Sequence, residues 1–344
     1  PGLASSVPLP AAQVPRLQPS AISAQQPDVT PGRRRTRYNL PALTTALIGR
    51  DEELAELAQL LAHPNTRLVT ILSAGGIGKT HLAVAAALQQ VETFPDGVCW
   101  VPLAPLTDAG ELVVAIAAAL GLRLQGDRTP EQQVCDYLRA EHLLLVLDNL
   151  EHLMGAELQS LVTRLVQECS HLTILTTSRE PLQLGLEQRV GVSPMRVPSA
   201  DERATEVART ESVVLFISRA QAVAPDFAPG PDDLRIVGDI CRRVEGLPLA
   251  IELAAAWIRV LSPASLLAQL SDQLPVLAGG GTDQPVRLRT MRDAIAWSYD
   301  LLEPAEQAFF RRVAIFSGGC TLEAAEFLSE GDDRGFPFDL LASL

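Results

Sequence analysis

The residues best suited to chemistry in this chain lie together in SAGGIGKTHLA (73–83), where three glycines, a lysine and a threonine interrupt an apolar run. Glycine lets the backbone turn tightly and bring successive N–H groups close to an anion. A helix beginning at the same place adds the positive end of its dipole. Gly75, Gly76, Ile77, Gly78 and His81 would then cradle phosphate, with Lys79 as a point charge for its β- and γ-groups. Thr80 offers a hydroxyl ligand to Mg²⁺. The competing reading is a structural glycine turn with an incidental lysine, and the strand before and helix after it favour phosphate. The general pattern GxxxxGK[ST] has glycine where this chain has Ser73. A positive φ there would cost a serine about 1–2 kcal/mol, so serine is tolerable only with an ordinary φ.

Three further positions could complete such a site. Asp148 ends the apolar run LLLVLDN (143–149), and a carboxylate at the C-terminal end of a buried strand can hold Mg²⁺ opposite Thr80. Alternatively, it caps the next turn. Asn149 follows, where many ATPases place a carboxylate that activates water; an amide cannot take that proton, though it can orient a water. Glu151 or His152 could substitute. Slow turnover is expected, on the order of 10⁻² to 10⁻⁴ per second for switches without full catalytic assistance. Arg179 closes TILTTSR (173–179), from where it could sense a γ-phosphate or, as a surface residue, pair with a nearby carboxylate. In EGLPLAIELAAAWI (245–258), Gly246 and Pro248 mark a helix start.

The elements around these residues alternate. Apolar strands are expected at 68–73, 97–103, 143–149 and 172–179, with a weaker one at 188–195. Helices are expected at 51–62, 79–91, 111–122 and 155–169. Strands without polar alternation, each followed by a helix, indicate an α/β fold with a parallel sheet covered on both faces. After 199 the pattern becomes helical, at 211–224, 232–245, 248–261 and 263–270. A flexible break, GGGTDQ (279–284), precedes three short helices at 289–302, 304–315 and 321–329. The expected domains are therefore a Pro/Ala-rich linker (1–41), a nucleotide-binding domain (42–198), a helical domain (199–283) and a last domain (284–344).

Composition narrows the function classes. The 344 residues are 47% hydrophobic but only 4% aromatic, so Leu, Ala and Val must build the core. A net charge of -13 makes the chain a poor general binder of nucleic acid. The cluster Arg33, Arg34, Arg35 and Arg37 reads as a solvated linker, with a basic arm as the alternative. None of the five cysteines forms a CxxC pair, so buried free thiols in a reducing cytoplasm are expected. The longest apolar run (112–122) is too short for a bilayer, no secretory signal is visible, and no membrane partner is expected. A start at Pro1 and an end inside a helical pattern read as a piece of a longer protein.

Six segments in order, LIGRDEEL (47–54), SAGGIGKTHLA (73–83), LLLVLDNLEHL (143–153), LTILTTSRE (172–180), GLPLAIELAAA (246–256) and LRTMRDAIAWSYDLLEPAEQAFFRRVAIFSGGCTLEAA (288–325), resemble the signal-transduction ATPases with numerous domains (STAND), specifically the NB-ARC type. The resemblance implies a P-loop NTPase sheet, a small helical domain and a winged-helix domain, incomplete at its C-terminus, with ATP or ADP and Mg²⁺ between them. It implies that the backbone around Ile48 and Gly49 borders the adenine, that Arg50 also binds the nucleotide, that Pro248 packs on the base, and that Arg179 is the first sensor. It further implies a closed ADP state, an open ATP state that assembles into homo-oligomers, and effector and sensor domains elsewhere. A histidine-containing motif of the family that touches the ADP β-phosphate should lie beyond Leu344.

Two alternatives remain at this stage. One is a DNA-loading or remodelling ATPase whose winged helix grips DNA. Arg287, Arg289, Arg292, Arg311 and Arg312 would serve it, but Asp293, Asp300, Glu303 and Glu306 sit among them, and direct DNA binding is not expected. The other is a nucleotide-binding scaffold that never hydrolyses, which Asn149 keeps open.

Overall fold

A computed structural model of the chain describes residues 38–43, 45–272, 304–314, 316 and 324. The basic cluster at 33–37, the break at 279–284, the helix expected at 289–302 and all of 321–329 but residue 324 lie outside the described residues, and so does most of the expected winged helix.

Strands β1 (Leu68–Leu72), β2 (Gly97–Pro102), β3 (Leu143–Asp148), β4 (Thr173–Ser178) and β5 (Glu187–Gly191) form one sheet in the order β2-β3-β4-β1-β5. Every neighbouring pair is parallel. β3 and β4 are buried at every residue, and a strand covered on both faces has no polar side to show in its sequence. β5 is the exposed edge, with Val190 its one fully buried residue, so its pattern is faint and it ends four residues before the expected 195.

Alternate residues of β3 face opposite cores. Leu145 and Leu147 pack with Ile116, Leu138, Leu161 and Leu165 of α3 (Leu112–Leu120), α4 (Pro130–Leu138) and α5 (Ala156–Glu168). Leu144 and Val146 pack with Leu57, Leu61, Leu82 and Ala83 of α1 (Asp51–Ala62) and α2 (Lys79–Gln89). Each such side chain contributes about 1.5–3 kcal/mol by leaving water. Beyond β5 come α6 (Ala204–Val207), α7 (Glu211–Val223), α8 (Pro231–Arg243), α9 (Pro248–Ala256), α10 (Pro263–Asp272) and α11 (Pro304–Val313). Val213, Phe216, Ile240, Cys241, Ile251 and Leu253 form a third core among them.

Residues 38–41, expected from composition to close a linker, run along the edge strand β2. Tyr38 bridges Val98, and Asn39 clasps Trp100 through Nδ2 to its carbonyl (2.9 Å) and Oδ1 from its N–H (2.6 Å). This covers part of an open sheet edge. Cys99, Cys135, Cys169 and Cys241 are free and buried; burial pushes the Cys99 and Cys241 thiols up to about 12.

The strand order positions the site. β4 lies between β1 and β3, so the loops leaving β1, β3 and β4 emerge side by side at one sheet edge.

Candidate functional site

The loop after β1 turns on two left-handed glycines, Gly76 (φ 79°) and Gly78 (φ 97°). A Cβ on Gly78 would meet nothing within 4 Å, so that glycine serves conformation rather than room. Ser73 is not among the residues with positive φ, which meets the condition the sequence set for it. Its Oγ donates to the Val192 carbonyl (2.7 Å), pinning the start of the loop to the chain beyond β5. Lys79 opens α2 with only 9% of its surface exposed. Its Nζ donates to the carbonyls of Ser73 (2.5 Å) and Ala74 (3.0 Å). Burial lowers its pKa to about 8, opposed by the Glu151 and Asp148 carboxylates and assisted by Arg179. A buried ammonium among glycine amides is a site short of negative charge.

Asp148, at the end of β3, is 6% exposed. Its Oδ1 accepts from Thr80 Oγ1 (2.9 Å) and from Thr177 Oγ1 (2.7 Å). The carboxylate thus reaches the phosphate-loop residue Thr80 across the intervening strand β4. Thr177 also accepts from the backbone N–H of Asn149 (2.8 Å), and Asn149 adopts φ 70°. Sequence reasoning did not single out Thr177. The pairing of Leu147 with Thr176 puts Thr177 beside Asp148, a relation carried by strand register and invisible in the linear order.

Arg179 lines the same cleft and pairs with a carboxylate, its Nε lying 3.3 Å from Glu151 Oε1. Glu151 Oε2 is buried and receives no hydrogen bond. Of the two substitutes for a catalytic carboxylate at 149, Glu151 lines the cleft, whereas His152 turns its ring to the Leu103 carbonyl.

The other end of the cleft is apolar, walled by Leu47, Ile48, Leu215, Pro248 and Leu249. α9 meets the phosphate loop directly, the Leu249 N–H donating to the Gly76 carbonyl (3.1 Å). Arg50 lines the cleft, is 6% exposed and pairs with Glu53 (2.7 Å), while its second terminal nitrogen is buried without a hydrogen bond. Gly49 (φ 62°) packs against Glu211 instead of lining the cleft, and Asp148 stands behind Thr80 and Thr177. Gly75, Ile77 and His81 line it as expected of the cradle. Sequence reasoning also missed the pair Arg219–Glu252 (3.0 Å) on the cleft wall. Leu215 and Arg219, like Pro248 and Glu252, are one helical turn apart, and that spacing was the available signal.

The donor set fits a nucleotide with Mg²⁺. Among the described residues no three His, Cys, Asp or Glu side chains gather around a metal position. One hydroxyl and one carboxylate suit Mg²⁺, which completes its shell with phosphate oxygens and water. The orphaned Arg50 nitrogen and buried Lys79 supply the complementary positive charge.

Comparison with known proteins agrees. The NB-ARC domain model matches residues 50–185. An uncharacterized protein of Mycobacterium tuberculosis (strain ATCC 25618 / H37Rv) is 34% identical over 319 residues, spanning 93% of this chain and 75% of that protein. The chain belongs to the NB-ARC family. It is a STAND-type P-loop ATPase by family. A second protein of the same strain, named as an HTH-type transcriptional regulator, is 40% identical over 278 residues, or 81% of this chain. The NB-ARC chain spans 30% of the length of that relative. The solved ORC2 protein of Aeropyrum pernix, in ADPNP–ADP complexes, superposes with a TM-score of 0.50 at 15% identity, covering 88% of this chain and 87% of that one. At that identity the likeness speaks for the fold alone. Among the described residues no helix is long and apolar enough to cross a membrane.

Proposed function

We propose that this NB-ARC chain is a nucleotide-dependent switch, closed around ADP and opened by ATP–Mg²⁺, with slow hydrolysis returning it to the closed state. The observation that carries this reading is the cleft itself. Its phosphate end belongs to the sheet and its apolar end is shared with α7 and α9, so one ligand touches both bodies. Lys79 and the loop amides hold the phosphates, and Pro248, Ile48 and Leu215 enclose the base. Arg50 adds a buried donor. Mg²⁺, held by Thr80 with Asp148 behind it, offsets phosphate charge when bound. Asn149 cannot take a proton, and the cleft carboxylate that can, Glu151, is engaged by Arg179. Both features support slow turnover.

A γ-phosphate competes with Glu151 for Arg179, and this exchange is the step by which the chain distinguishes ATP from ADP. Opening then exposes the α7 and α9 walls for assembly with further copies. The regulator name borne by one relative supports an output in signalling.

The test is the nucleotide released when purified protein is denatured, together with the mass of the assembly in ADP and in ATP. Bound ADP, lost in Lys79→Ala without loss of fold, is expected, with larger assemblies in ATP. Lys79→Ala protein with its normal nucleotide content would overturn the reading.

A further inference from the structure

Asn149 and His152 form a closed ring of hydrogen bonds with the ends of β2 and β3. The Leu103 N–H donates to the Asp148 carbonyl (3.0 Å). The Leu103 carbonyl lies 3.0 Å from His152 Nε2, and His152 Nδ1 lies 3.2 Å from Asn149 Nδ2. Asn149 Nδ2 only donates and the Leu103 carbonyl only accepts, so Nδ1 is the accepting nitrogen and Nε2 the donating one. The amide oxygen of Asn149 is turned away from His152. The backbone of Asn149 is fixed as well, in the left-handed region at φ 70° and by its N–H to Thr177 Oγ1 (2.8 Å). Asn149 lines the nucleotide cleft, whereas His152 does not.

We propose that His152 is a positioning residue for hydrolysis, holding Asn149 so that its amide oxygen accepts a hydrogen bond from the attacking water. This rests on the nucleotide reading above. In the step, the water oxygen bonds to the γ-phosphorus and the bond to the bridging oxygen breaks, its electron pair leaving on ADP. One water proton stays on the phosphate product and the other is released to solvent. The amide takes neither, so its contribution is orientation alone, and the imidazole three residues away controls it.

The experiment measures ATP turnover with Mg²⁺ and ADP affinity for the wild-type chain, His152→Phe, His152→Gln, Asn149→Ala and the His152→Phe/Asn149→Ala double variant. Long-range ¹H–¹⁵N spectra of the imidazoles accompany it, His152 being identified by its loss in the variants. His152→Phe is expected to lower kcat about tenfold, within the range of misplaced reacting groups, while ADP affinity stays within about twofold of wild type. In the Asn149→Ala background the same change should cost nothing more. His152→Gln, whose amide oxygen can still accept from Asn149, should recover part of the rate. The spectra should show a neutral ring protonated at Nε2. Full turnover in His152→Phe, additive losses in the double variant, a ring protonated at Nδ1, or a wild-type chain that binds ADP yet never hydrolyses ATP would each overturn the inference while leaving nucleotide binding standing. A wild-type chain that fails to bind ADP removes the underlying reading as well.

Discussion

At the scale of single residues, Lys79 stands apart from the carboxylate-paired arginines of the cleft. Lys79 has two carbonyls for partners, and burial lowers its pKa to about 8 from 10.5. Two consequences of opposite sign follow. In the ligand-free chain the unfolded state holds more protons on this residue than the folded state between about pH 8 and 10.5, so folding stability gains from Lys79 as pH rises through that window. Nucleotide binding needs the ammonium and loses it over the same window. The dissociation constant for ADP is therefore expected to be flat below about pH 8 and to rise by up to tenfold per pH unit above it. Calorimetric titrations of ADP from pH 7 to 10 check this, and a constant affinity across that range would mean that Lys79 stays charged or takes no part. Ser73 shows the opposite economy, because a residue that departs from the general loop pattern keeps an ordinary backbone and adds a hydrogen bond to Val192.

At the scale of elements, the joint between α8 and α9 sets where the base wall stands. α8 ends in two consecutive left-handed residues, Glu245 (φ 53°) and Gly246 (φ 68°), and the Gly246 N–H closes back on the Cys241 carbonyl (3.0 Å). A Cβ on Gly246 would stand 2.2 Å from the Met195 carbonyl oxygen, in a residue whose N–H donates to the Gly246 carbonyl (2.9 Å). Gly121, at the end of α3, has the same left-handed φ (72°) but open space around it. Gly121→Ala should therefore cost only the left-handed penalty, about 1–2 kcal/mol. Gly246→Ala should cost more than that and weaken ADP binding, since α9 carries both Pro248 and the Leu249 contact to Gly76. Urea unfolding of the pair, with ADP titrations, separates steric from conformational cost; equal losses would show that the joint yields. The same contrast explains what the sequence made legible. β3 announces itself as an apolar run, and β1 and β4 as buried strands whose few polar residues are Thr and Ser, because both faces are covered, and their C-terminal ends bring Lys79, Asp148 and Arg179 to one edge. α4 has only three buried residues in nine, yet Thr129 and Gln132 form a capping box around Pro130 at its first position, a start signal present in the sequence and passed over. Thr177, Arg219 and Glu252 were hidden for another reason: their roles come from strand register and helix packing between distant segments.

At the scale of the molecule, the decisive feature is that the cleft has two owners. Its lining comes partly from the loops of the sheet and partly from α7 and α9, which have a hydrophobic core of their own. Contact between the two bodies at the cleft includes one backbone hydrogen bond, Leu249 to Gly76. A ligand filling the cleft must therefore stabilise both bodies together. Present at about 100 times its dissociation constant, ADP adds about 2.7 kcal/mol to the folded state. Two tryptophans report the bodies separately: Trp100 lies in β2, and Trp257 follows α9. In variants retaining one or the other, the thermal transition seen by each should rise with ADP by the same amount, several degrees for a domain of this size. In Lys79→Ala neither should move. A rise seen at Trp100 with none at Trp257 would mean that the helical body stands clear of the nucleotide. The proposed switch would then have no lever, because a γ-phosphate felt only by the sheet cannot change how the helices are held.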